Sequence, residues 1–101
     1  MVVQFTIFPT DKGESASSYV AEVIDIVDKS GLPYKLGAMS TSMEGEWDEV
    51  FSVIKKCRDA LRLHSRRIYI VISVDDRAGA VGRLEGKIKD LAEKLGRQPK
   101  T

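Results

Sequence analysis

Cysteine and histidine each occur once in this sequence of 101 residues. A lone thiol cannot close an internal disulfide, and one cysteine with one histidine is no ligand set for a structural zinc. A reducing cytoplasm fits this usage, and neither a metal nor another cofactor is expected. Long hydrophobic runs are missing as well. No stretch approaches the roughly 18–20 apolar residues that span a bilayer, and the N-terminus lacks the basic flank and apolar core of a signal peptide. Nor is there an excess of charge of one sign: 16 Lys and Arg balance 15 Asp and Glu to a formal net charge of +1. Such a chain offers no broad positive field to nucleic acid and no basic face to a membrane. What is present is a composition of 43% hydrophobic and 31% charged residues, which suits one globular domain over residues 1–101.

The hydrophobic period changes along the chain. Val3, Phe5 and Ile7 alternate with polar neighbours, predicting a strand over Val2 to Phe8 that Pro9 and Gly13 close. From Ser15 to Ser30, Tyr19, Val20, Val23, Ile24 and Val27 fall at helical spacing, with Ser15, Ser17 and Ser18 as N-cap candidates and Gly31 and Pro33 as stops. Two short strands, Tyr34 to Ala38 and Ser40 to Glu44, are expected next, joined by a very tight turn or a bulge. A second helix carries the stripe Trp47, Val50, Phe51, Ile54, Cys57 and Leu61; acidic residues open it, and Arg62 and His64 close it. Ile68 to Asp75 is dense in β-branched residues and reads as a central strand. A last helix with Leu84, Ile88, Leu91 and Leu95 ends at Gly96. The order β, α, β, β, α, β plus a terminal α predicts an α+β, ferredoxin-like domain. Its four-stranded antiparallel sheet carries two helices on one face.

Strand parity then separates two sheet faces. If Val3, Phe5 and Ile7 turn toward the helices, Gln4, Thr6 and Phe8 turn away, as do Tyr69, Val71, Ser73 and Asp75. An outward patch of Phe8, Tyr69 and Val71 is more apolar surface than a small monomer leaves in water, so self-association to a homodimer or homotetramer is expected there. Open-face aromatics also serve RNA-recognition modules, but the basic-Gly-aromatic signature of those modules is absent and the net charge is near zero. Phosphate loops, nucleophile elbows and paired metal-binding histidines are missing, which argues against an enzyme. His64 reads as a helix-end imidazole and Cys57 as a buried small hydrophobe. Asp75-Asp76-Arg77 reads as a solvated turn with a local ion pair, a divalent-cation site being the alternative. The run Ser40-Thr41-Ser42-Met43-Glu44-Gly45 is either a polar strand leading to a helix cap or a set of hydroxyls and one carboxylate able to read a polar heterocycle.

At these residues the sequence resembles the thiamine-binding protein family. The segments that carry the likeness are Phe5-Thr6-Ile7-Phe8-Pro9, Ser18-Tyr19-Val20, Ser30-Gly31-Leu32 and Tyr34. More specific are Thr41 to Gly45 followed by Asp48-Glu49-Val50, and Arg67 through Ser73-Val74-Asp75-Asp76-Arg77. The resemblance implies a non-enzymatic protein that binds thiamine or its hydroxymethylpyrimidine part as a carrier or sensor and assembles through its sheets. It makes Thr41 and Glu44 the expected polar contacts to an aminopyrimidine, with Thr6 and Ser73 as neighbours. The chain departs from many relatives after Pro9, running Thr10-Asp11-Lys12-Gly13 where they have a shorter turn. Lys12, Arg66 and Arg77 are therefore candidates for anion contacts, solvated charge being the alternative. A structural or regulatory oligomer that binds another metabolite or anion at subunit boundaries is the competing reading.

Overall fold

The computed structural model describes residues 1–14 and 16–101. Its elements are β1 (Val2–Pro9), α1 (Ser17–Lys29), β2 (Tyr34–Leu36), β3 (Thr41–Glu44), α2 (Trp47–Arg62), β4 (Ile68–Asp75) and α3 (Arg83–Leu95). The strands form one antiparallel sheet in the order β2-β3-β1-β4, the ferredoxin-like arrangement expected from the element order.

Alternation along β1 sets the core. Val3, Phe5 and Ile7 lie under α1 and α2, packed with Val27 of α1 and with Val50, Cys57 and Leu61 of α2. Cys57 is fully buried, and burial pushes its thiol pKa up to about 11, so it acts as a small hydrophobe. A capping box opens α2: the Glu46 N–H donates to Glu49 Oε1 at 3.0 Å while the Glu46 side chain accepts from the first turn. The first helix has no such device. Its N-cap is Ala16, and Ser17 and Ser18 lie inside the helix rather than capping it, while Ser15 falls outside the described residues. Trp47 begins the α2 stripe yet stays 55% exposed, resting on Phe51 with ring centroids 4.5 Å apart.

Two expectations are corrected. The turn between β2 and β3 is a four-residue loop, 37–40, which shortens both strands. Ile68 to Asp75 forms an edge strand, not a central one, because β1 lies in the middle and pairs with both β3 and β4. Its β-branched run is consequently only half covered: Ile68 and Ile70 pack against the core, whereas Ile72 and Val74 point to the helix side but remain 37% and 41% exposed. The terminal helix, whose face the element order leaves open, lies on the sheet side opposite α1 and α2. It reaches Glu44, Lys35 and Asp75, all of outward parity, and Lys35 Nζ meets Glu85 at 2.8 Å while Lys87 pairs with Asp75. Leu84 and Ile88 are half-buried there, whereas Leu91 and Leu95 extend into solvent. No helix among the described residues is long and apolar enough to cross a membrane.

Candidate functional site

Unequal strand lengths create a cavity beside β1. β1 has eight residues but pairs with β3 only from Val2↔Glu44 to Phe5↔Thr41, so its second half has no strand beside it on that side. α1 supplies the wall opposite, through Val20, Val23 and Ile24, and the 37–40 loop forms the rim. The volume of this open-mouthed cavity is about 300 Å³, the lower end of the range for small-molecule sites. The lining is apolar apart from Thr6, Ser40, Thr41 and main-chain groups, with no ionisable side chain. It suits an uncharged, flat ligand with a few hydrogen-bonding positions, because a charge would enter without a counter-ion.

The hydroxyls are placed by the sheet. Thr41 pairs with Phe5 and so points to the helix side, where it is 5% exposed. It makes no side-chain hydrogen bond among the described residues. Thr6 has the opposite parity, but its Oγ1 donates to the Met39 carbonyl at 3.0 Å and so ties the rim loop to β1. Ser40 Oγ accepts from Gln4 Nε2 at 2.7 Å, a second tie. Thr41 and Thr6 thus meet at the cavity.

Glu44 does not join them. It lies on the other sheet face at the far end of β3, 8% exposed, and its carboxylate accepts from the Arg83 N–H at 2.9 Å and the Leu84 N–H at 3.2 Å. The carboxylate therefore caps the N-terminus of α3 from across the sheet. Burial raises its pKa, but the amides of Arg83, Leu84 and Gly82 and the N-terminal ammonium outweigh that and hold it below the ordinary carboxylate value of 4.5. Ser73 pairs with Gln4 on the outer face and is exposed, away from the cavity.

The remaining expectations scatter. Lys12 and Arg66 lie at the end of the sheet where Asp11 accepts from Ser65 Oγ at 2.5 Å and from the Arg66 N–H at 3.2 Å. Arg77 lies at the opposite end, beyond Asp75, so these three basic residues form no single anion site. Among the described residues no group of acidic, histidine or cysteine side chains could hold a metal ion. His64 Nε2 sits 3.3 Å from Glu22, its ring 5.4 Å from that of Tyr19. Phe8 and Tyr69 do form an outward aromatic pair, centroids 5.7 Å apart, with Tyr69 52% and Val71 48% exposed.

Sequence reading missed the cavity wall on α1 and the 37–40 rim. The available signal was arithmetic: seven residues in the strand expected over Val2 to Phe8 against five in the one expected over Ser40 to Glu44, which the structure pairs.

Residues 3–92 match the model of a family described as thiamine-binding protein. A UPF0045 protein of Mycobacterium bovis is 34% identical over 96 residues, covering 94% of each chain. The UPF0045 protein YqgV of Bacillus subtilis is 31% identical over 100 residues, 93% of this chain and 96% of that one. Among solved structures, a Methanocaldococcus jannaschii protein superposes with a TM-score of 0.83 at 29% identity, covering 91% of this chain and 95% of the other. A candidate thiamine biosynthesis/salvage protein of Thermotoga maritima superposes with a TM-score of 0.79 at 21% identity, covering 89% and 96%, a likeness of fold.

Proposed function

The chain belongs to the thiamine-binding protein family, and from that premise we propose that it binds thiamine or its hydroxymethylpyrimidine part in the cavity between β1, α1 and the 37–40 loop. The observation that carries this reading is the cavity itself: about 300 Å³, apolar, ringed by Thr6, Ser40 and Thr41, and without an ionisable lining residue. Such a lining favours the neutral aminopyrimidine over the cationic thiazolium, which would stay toward the open rim. The bound molecule is held and not transformed, so the protein serves as a carrier or sensor in the cytoplasm. In support, Glu44 is engaged with α3, and no titratable side chain lines the cavity to act as a general base.

A ligand selective for the native state raises the melting temperature by mass action. Millimolar hydroxymethylpyrimidine or thiamine is expected to do so, and mass spectrometry should recover it unchanged. No shift with either compound overturns the assignment.

We also assign self-association to the outer face bearing Phe8, Tyr69 and Val71, where a net charge of only +1 leaves little repulsion between copies. Light scattering should return a dimer or tetramer for the native chain and a smaller species for Tyr69→Lys. A native monomer at micromolar concentration removes this assignment.

A further inference from the structure

In an antiparallel sheet both main-chain groups of a residue point to the same neighbouring strand, and successive residues alternate between neighbours. The Gly45 N–H donates to the Met1 carbonyl at 3.1 Å, and the Thr10 N–H donates to the Arg67 carbonyl at 3.0 Å. Odd-numbered residues of β1 therefore address β3 and even-numbered ones address β4. By this register Ile7 should exchange hydrogen bonds with residue 39. Instead β3 has ended at Thr41, Met39 has turned its carbonyl to the Thr6 hydroxyl, and the Gly37 N–H closes the loop onto the Ser40 carbonyl at 2.9 Å.

By this register the Ile7 N–H and C=O face the cavity with no β3 residue opposite, and neither bonds to the 37–40 loop, although Ile7 is only 5% exposed and lines the cavity. A buried main-chain donor and acceptor both left unpaired are rare in folded proteins, because each gives up water and receives nothing in return. Here the two belong to one residue, lie on one edge and face an apolar cavity large enough for a single ring.

We propose that Ile7 is the recognition element of this cavity, its N–H donating to a ring nitrogen and its C=O accepting from an adjacent exocyclic amine. The ligand class is a flat heterocycle that carries an amino group beside a ring nitrogen, as a 4-aminopyrimidine does. Such a ring edge occupies the place that a β3 residue would have taken and completes the ladder, with Thr41 as the next hydrogen-bonding position along the wall. A 4-oxo pyrimidine presents acceptor and donor in the reverse order and sets two like groups against each other. The inference rests on the cavity being the ligand site.

The test uses the full chain labelled with ¹⁵N and two probes, hydroxymethylpyrimidine and its 4-oxo counterpart. Hydroxymethylpyrimidine is expected to shift the Ile7 amide proton downfield and slow its exchange with solvent, and the 4-oxo compound to bind at least about tenfold more weakly. Binding of hydroxymethylpyrimidine with an unmoved Ile7 amide, or equal affinity for the two rings, overturns the role of Ile7 while leaving the ligand site in place. Failure of both rings to bind at millimolar concentration overturns the ligand site and this role with it.

Discussion

Replacing Glu44 with alanine is expected to release α3 from the sheet and to lower the unfolding free energy by about 2–4 kcal/mol, the range for losing two hydrogen bonds to a buried charge. The loss should appear in urea unfolding and as rapid amide exchange confined to residues 83–95. Glu44→Gln keeps one acceptor oxygen and should fall between the two, since it removes the charge that the α3 N-terminus favours. The pH dependence has a fixed sign. The folded pKa of Glu44 lies below the unfolded value, so its stabilisation is fully present above about pH 4.5 and fades as pH falls through the folded pKa. Unchanged exchange in α3 after Glu44→Ala sinks this account. Family resemblance led us to expect Glu44 to read an aminopyrimidine; a carboxylate with each oxygen already accepting from an α3 amide is placed to affect folding more than binding.

Filling the cavity is expected to have a comparable effect on ligand affinity. Val20 stands on the α1 wall and is 40% exposed, so a larger side chain can be accepted there without overpacking the core. Val20→Trp should weaken hydroxymethylpyrimidine binding by about 100-fold or more, read by calorimetry, while moving stability by less than about 1 kcal/mol. Val20→Ala should bind within a few-fold of the native chain. Native-like affinity in Val20→Trp places the ligand elsewhere.

Periodicity foretold the elements because each helix has a local apolar stripe and each long strand a local alternation. The ends of α2 and α3 were legible for the same reason, in the acidic first turn and in Gly96, which adopts φ +72° as the left-handed cap. What periodicity missed depends on pairing between distant segments. The β-branched density of Ile68 to Asp75 suits a buried strand, yet nothing within those eight residues says that only β1 will lie beside them. Glu44 sits thirty-nine residues before its partner Arg83, and no local spacing connects a strand carboxylate with a helix that has not begun. The cavity likewise follows from a difference in strand lengths, since the 37–40 loop ends β3 four pairs short of β1. Thr6 and Thr41 both line that cavity, a placement that depends on the mismatch and not on any local spacing.

The buried thiol of α2 makes the molecule its own clock. Cys57 is the sole cysteine, has no measurable exposure, and is held protonated by burial through the neutral range. A thiol reagent can therefore react only during the intervals in which α2 lifts from the sheet, and the labelling rate equals the opening equilibrium multiplied by the reactivity of a free thiol. No probe need be installed: adding ligand, changing pH or removing the Glu44 carboxylate would each register as a change in one rate at one atom.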